Sequence, residues 1–127
     1  MSTPVRTVMT SMPHTIGHDM TIETAKEMMR EYSCHHLPVL DGGKLVGVIS
    51  DRDLRLLDSI KGSQNTPIED IMTDEPVLVS GNTDVFQVAM LMHEKKIGSV
   101  IVQGEADLPW GIFTATDALK IITKNKS

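Results

Sequence analysis

The 127-residue sequence holds one cysteine, one tryptophan, one tyrosine and two phenylalanines, and aromatic residues make up only 3% of it. Cys34 is a lone thiol, so no intrachain disulfide can form, and nothing asks for an oxidising compartment. With so few rings, the core must be filled by aliphatic side chains and by some of the nine methionines, whose flexible thioethers fit irregular space. Positive charge is also short. Twelve Lys and Arg face seventeen Asp and Glu, and the net −5 is the wrong sign for a sequence-independent grip on nucleic acid. The deficit is uneven: residues 1–63 hold seven basic against eight acidic groups, and residues 64–127 hold five against nine. An anion is therefore expected to prefer groups from the first half. No apolar run approaches the ~18 residues that span a bilayer. The opening MSTPVRTVMT has no apolar stretch of the secretion-signal kind, so a cytoplasmic location is expected.

Several chemistries are missing as well. The sequence shows no Ser–His–Asp ordering, no Cys–His pairing in an activating context and no GxxxxGK[ST] phosphate loop, so no enzyme is expected. Cys34-His35-His36, with His14, His18, Met9 and Met12 upstream, offers metal-binding side-chain types. Their spacing matches no zinc pattern, and neighbours on a strand point to opposite faces, so His35 and His36 cannot readily share one ion. The expectation is no metal, with the methionines in the core or at a dimer contact.

What the chain does have is a repeat. Val8-Met9-Thr10 returns as Ile71-Met72-Thr73, 63 positions on, and the same offset pairs Ile22 with Val85, Met29 with Met92 and Val39 with Val102. One inserted residue then shifts the offset to 64, pairing Gly47 with Gly111. In the first copy, Ile22, Ala25, Met28, Met29 and Tyr32 fall at helical spacing behind Thr21, a fair N-cap. LPVL (37–40) and KLVGVIS (44–50), joined by Asp41-Gly42-Gly43, predict a hairpin, and a short helix is expected from about Asp51. The second copy predicts a helix through Val85, Val88, Leu91 and Met92, a strand at 99–102, a longer acidic turn at 103–108 and a strand at 109–114. Residues 57–67 gather linker-like composition. A unit this small would leave one sheet face bare, so the two are expected to pack sheet to sheet, with pseudo-twofold symmetry and a cleft between them.

The sharpest echo is GVISDRDL (47–54) against GIFTATDA (111–118). A hydroxyl residue followed three places later by an acid is the capping-box pattern, which makes Ser50 with Asp53, and Thr114 with Asp117, two helix starts. The competing reading is that these groups face a ligand. The two roles can coexist, because a helix N-terminus also attracts anions.

VMT and IMT, HHLPVL and GSVIVQ, GVISDRDL and GIFTATDAL, in this order twice, resemble a tandem pair of cystathionine-β-synthase (CBS) domains over residues 5–123. The resemblance implies an α/β (α+β) fold of two β-α-β-β-α repeats, at 5–60 and 68–123 around a linker at 61–67. It implies two symmetry-related clefts for AMP, ADP, ATP or S-adenosylmethionine, a regulatory ligand with no cofactor required. It further implies a flat homodimer of such pairs. With no effector domain among the 127 residues, the expected output is a regulated protein on a separate chain, ligand buffering, or nothing. In the family the aspartate holds the ribose, and a carboxylate suits two vicinal hydroxyls through charge-assisted hydrogen bonds. Carried over, the resemblance assigns one site to Thr73, Val77, Leu78, Ile97, His35, His36, Ser50, Arg52 and Asp53. It assigns the other to Thr10, His14, Thr15, Ile16, Cys34, His35, Gly98, Ser99, Thr114, Thr116 and Asp117.

The copies differ where a phosphate would be met. Arg52 offers a guanidinium fork and His35-His36 offer imidazoles, against Thr116, Gly98 and Ser99 in the second copy. The Asp53 site is therefore expected to take the phosphorylated ligand more tightly, and the Asp117 site to take a less charged adenosine compound or stay empty. The alternative is a structural dimerisation module whose clefts are vestigial and hold no ligand, since fold does not guarantee a site.

Overall fold

A computed structural model describes residues 3–104 and 110–124. The acidic turn expected at 103–108 falls mostly on residues 105–108, outside the described residues, as does Pro109 of the strand expected at 109–114. The elements, in chain order, are β1 (Thr10–Ser11), β2 (Ile16–Gly17), α1 (Ile22–Tyr32), β3 (His36–Asp41), β4 (Lys44–Ser50) and α2 (Asp51–Arg55). They continue as β5 (Thr73–Asp74), β6 (Leu78–Ser80), α3 (Val85–Lys95), β7 (Ser99–Gln103), β8 (Gly111–Thr114) and α4 (Ala115–Lys124). Among the described residues no helix is long and apolar enough to cross a membrane.

The chain folds as two compact units, residues 14–76 and residues 1–13 with 77–127. In the first, the four-stranded sheet runs β2-β3-β4-β5. The helix α1 begins where Thr21 accepts a hydrogen bond from the Thr24 amide at 3.4 Å, and it ends where Ser33 turns left-handed at φ 52°. It buries Ile22, Ala25 and Met29 against Leu37, Val39 and Ile49 of the sheet. Tyr32, the last apolar position of the predicted stripe, stays partly outside and stacks on His14 at 3.7 Å. Its hairpin turns at Gly42 (φ 58°) and Gly43 (φ 83°), consecutive left-handed positions that match the twist of the flanking strands. Residues 57–67 are knitted to this unit: Ile22 N–H donates to Thr66 O at 3.0 Å, and Ser63 Oγ to Leu57 O at 2.9 Å.

The second unit repeats the plan, with sheet order β1-β8-β7-β6. Here Val85, Val88 and Met92 of α3 pack on Val100, Val102 and Phe113. The helix α3 also ends on a left-handed residue, Lys96 at φ 56°. In both units the strand before the helix lies parallel to the one after it, β2 beside β3 and β6 beside β7, so the helix is a crossover connection.

Each sheet takes its last strand from the head of the other sequence repeat. Thr10 and Ser11 pair with Ile112 and Gly111, while Thr73 and Asp74 pair with Val48 and Gly47. The residues before these strands dock the same way: Val5 N–H donates to Thr83 O, and Ile68 N–H to Met20 O, both at 2.8 Å. Glycine at 47 and 111 makes the approach possible. A Cβ on Gly47 would lie 2.8 Å from the Thr73 carbonyl oxygen, and one on Gly111 would lie 2.6 Å from that of Thr10.

Candidate functional site

The echoed aspartates are capping residues in both units. Asp53 Oδ2 accepts from Ser50 N–H at 3.1 Å while Asp53 N–H donates to Ser50 Oγ at 3.2 Å. Asp117 Oδ2 accepts from the amide and hydroxyl of Thr114 at 3.0 and 3.1 Å, and its own N–H donates to Thr114 Oγ1 at 3.2 Å. The reciprocal bonds fix each carboxylate at the first turn of a helix that leaves the end of a strand. Capping occupies one oxygen, Oδ2, and an ionised carboxylate has a second with its own lone pairs. Both aspartates and both hydroxyl residues are only partly buried.

The strand pairing gathers further predicted residues around each cap. In the unit 14–76, His36 lies opposite Ser50, and Asp51 N–H donates to His35 O at 2.9 Å. Thr73 lies opposite Val48, two residues before Ser50. In the other unit Ser99 lies opposite Thr114, Ala115 N–H donates to Gly98 O at 2.9 Å, and Thr10 lies opposite Ile112. Each cap thus has the pair 35–36 or 98–99 beside it and a threonine from an opening strand two residues away.

Other predicted residues stand on the far side of the central strand. Ile16 pairs with Val39 and is buried, Thr15 precedes it, and His14 is held on the Tyr32 ring. Leu78 pairs with Ile101 and is half exposed, with Val77 accepting from the Ile101 amide through its carbonyl. Cys34 and Ile97 occupy matching posts after α1 and α3, each with its N–H on a helix carbonyl, Met29 O and Met92 O. Burial pushes the Cys34 thiol above its ordinary range, opposed by the backbone hydrogen bond from His36, so Cys34 is held in its neutral form. Arg52 and Thr116 are exposed on the first turns of α2 and α4.

One partner escaped the sequence reading. Asp51 Oδ2 lies 2.8 Å from His35 Nδ1, so the first copy's imidazole is oriented by a carboxylate, where the second copy has Gly98 and Ala115. The adjacency is non-local, sixteen positions apart, and only the β3–β4 pairing creates it. A second histidine, His18, sits between two acids, with Nδ1 2.6 Å from Glu69 Oε2 and Nε2 3.4 Å from Asp41 Oδ1. The hydrogen bond to Glu69, helped by the charges of Asp41, Glu69 and Asp19 and opposed by desolvation, raises its pKa above the usual 6.5. Among the described residues, no group of three or more His, Cys, Asp and Glu side chains is placed to hold a metal ion.

The family model described as the CBS domain matches twice, at residues 5–59 and 68–124. A CBS domain-containing protein of Dictyostelium discoideum is 29% identical over 98% of this chain and 94% of its own length. Among solved structures, the CBS domain pair of protein MJ0100 in complex with 5′-methylthioadenosine and S-adenosyl-L-methionine is 27% identical. It covers 98% of this chain and 99% of that one, with a TM-score of 0.83. CBSX2 in complex with AMP is 29% identical over 98% of both chains, with a TM-score of 0.78.

Proposed function

Since the chain belongs to the CBS domain family, with two copies in tandem, we propose that it is a regulatory module that senses adenosine compounds: AMP, ADP, ATP or S-adenosylmethionine. The observation that carries this reading is the pair of aspartates, Asp53 and Asp117. Each is fixed by a capping box, at the position that the resemblance assigns to the ribose, and the chain aligns over 98% of its length with relatives solved with AMP and with S-adenosyl-L-methionine. In this reading the free oxygen of each carboxylate accepts from the ribose hydroxyls, while apolar and backbone groups of the opening strands meet the base. Arg52 and the oriented His35 meet phosphate at the Asp53 site; Thr116 and Gly98 leave the Asp117 site with less positive charge. The protein works in the cytoplasm as a homodimer of CBS pairs and passes the ligand state to a regulated protein, because a ligand that prefers one of two conformations shifts their populations.

Isothermal titration with AMP, ATP and S-adenosylmethionine tests this on the wild type and on Asp53→Asn and Asp117→Asn, which keep a capping-size side chain but remove the charge. Losing a charge-assisted hydrogen bond is worth about 1.5–3 kcal/mol, so affinity at the altered site should fall roughly 10- to 100-fold. AMP affinity should suffer more in Asp53→Asn, and equal losses in the two variants would refute the asymmetry. The capping bonds also favour a second reading, a dimerisation module with vestigial clefts, because they account for both aspartates without any ligand. No heat and no thermal shift with any of the three compounds would establish it.

A further inference from the structure

Each sequence repeat opens with one turn of 3-10 helix, Val5–Thr7 and Ile68–Asp70, and each turn is tied to a sheet end by a matching backbone bond. Arg6 N–H donates to Gly81 O, and Glu69 N–H to His18 O, both at 3.0 Å. The side chains that reinforce this join differ in kind. Beside Gly81, the Arg6 guanidinium donates to the side-chain oxygen of Asn82, a permanent cation on a neutral amide. In the unit 14–76 the roles are exchanged. The turn supplies an acid, Glu69, and the sheet end supplies His18, whose Nδ1 is 2.6 Å from Glu69 Oε2 and whose Nε2 is 3.4 Å from Asp41 Oδ1 at the end of β3. The position matching Asp41 is Gly104. The scaffold thus makes the same join with a group of fixed charge in one unit and with a titratable one in the other.

His18 has two acids to serve. A protonated imidazole carries a donor on each ring nitrogen and a charge that attracts both carboxylates, whereas a neutral one has a single donor, so loss of the proton leaves one acid without its partner. The charges acting on the ring come from Glu69 of the turn, Asp41 of β3 and the adjacent Asp19, all of them acids. The turn matters for what it carries: Met72 N–H donates to Ile68 O at 2.9 Å, and β5 begins at the next residue, Thr73. With only Thr73 and Asp74 paired to β4, that strand has little hydrogen bonding of its own to hold it. We propose that His18 is a proton-operated latch on the turn 68–70, so that the docking of β5 on β4 loosens as pH rises, while the matching docking of β1 on β8, secured by Arg6, does not respond. The inference does not depend on any ligand. It bears on the site read around Asp53, because β5 carries Thr73.

Amide hydrogen exchange followed by nuclear magnetic resonance from about pH 6 to pH 8.5, corrected for the intrinsic exchange rate, reads local opening of each turn. Protection of the Ile68, Glu69 and Met72 amides should fall roughly 2- to 5-fold over this range, the upper part of what a partly exposed charge pair contributes. The Val5, Arg6 and Met9 amides, which make the corresponding bonds, should keep their protection. His18→Lys keeps a charge between the acids throughout the range and should hold the 68–72 amides at the higher protection at every pH. His18→Gln should hold them at the lower one. Glu69→Gln removes the acid on the turn, should also abolish the pH dependence, and decides the matter if a His18 variant folds poorly. Protection at Ile68, Glu69 and Met72 that does not change with pH in the wild type overturns the inference. So does a fall that persists in His18→Gln or Glu69→Gln, or one that the Val5, Arg6 and Met9 amides share equally.

Discussion

Gly47→Ala is the most direct probe of how the two sequence repeats are interlocked. A Cβ built on Gly47 meets Met72 Sδ at 2.6 Å, the Thr73 carbonyl oxygen at 2.8 Å and Met72 Cγ at 3.0 Å. The thioether can swing away. The carbonyl cannot, because Thr73 and Asp74 are paired with Val48 and Gly47, so the added methyl must push β5 off its neighbour. Overpacking of this kind costs about 1–3 kcal/mol. Alanine restricts the unfolded chain and returns about 0.4–1 kcal/mol, since Gly47 does not occupy the left-handed region. The net expectation is a loss of about 1–2 kcal/mol, read as a lower midpoint in urea denaturation followed by circular dichroism. In a Met72→Ala background the sulfur and Cγ contacts are gone but the carbonyl contact remains, so the cost should shrink without vanishing. Gly111→Ala should behave alike, with Met9 Sδ and Thr10 O both at 2.6 Å. A Gly47→Ala protein as stable as the wild type would refute the close approach, and with it the pairing of β5 on β4.

His18 gives a pH signature. Its folded pKa lies above the unfolded value of about 6.5, so its stabilising contribution is complete below that pH and is lost as pH rises through the folded value. Melting temperatures measured from about pH 6 to pH 8.5 should fall more in the wild type than in His18→Gln, and parallel curves would contradict the Glu69–His18–Asp41 arrangement. Thr21→Ala removes the hydroxyl that caps the Thr24 amide and also meets the Thr24 hydroxyl at 3.2 Å, and should cost about 1 kcal/mol in denaturant titrations. Phe113→Ala should cost about 3–5 kcal/mol, because the ring is fully buried beside Val88 and Val100; a loss below about 1 kcal/mol would mean that the site collapses around the smaller side chain.

The legible parts of the fold were those whose cause is local. Ile22, Ala25 and Met29 sit one helical turn apart, and Val85, Val88 and Met92 repeat the pattern, so both long helices follow from spacing. Two glycines after Asp41 specify a turn that joins β3 to β4. The capping boxes are local as well, spanning three residues each, and for that reason Asp53 and Asp117 could be placed from sequence. The strands β1, β2, β5 and β6 are two or three residues long, and no periodicity is visible over so few positions. They exist because partners far along the chain supply their hydrogen bonds. The same reason hid Asp51 beside His35.

What the sequence by itself determined is therefore the duplicated plan: two apolar helices, two hairpins, two capped aspartates, and a first copy richer in cationic and imidazole groups. These depend on interactions within a few residues, or on a pattern read twice. Tertiary structure alone decided that each opening strand completes the sheet of the opposite repeat, with Thr10 on β8 and Thr73 on β4. The choice is made by backbone groups at a sheet edge and by a gap that only glycine leaves, about a hundred residues away for Gly111 and about twenty-five for Gly47. No local propensity encodes such a pairing, because the free energy that selects it arises only once both sheets have formed.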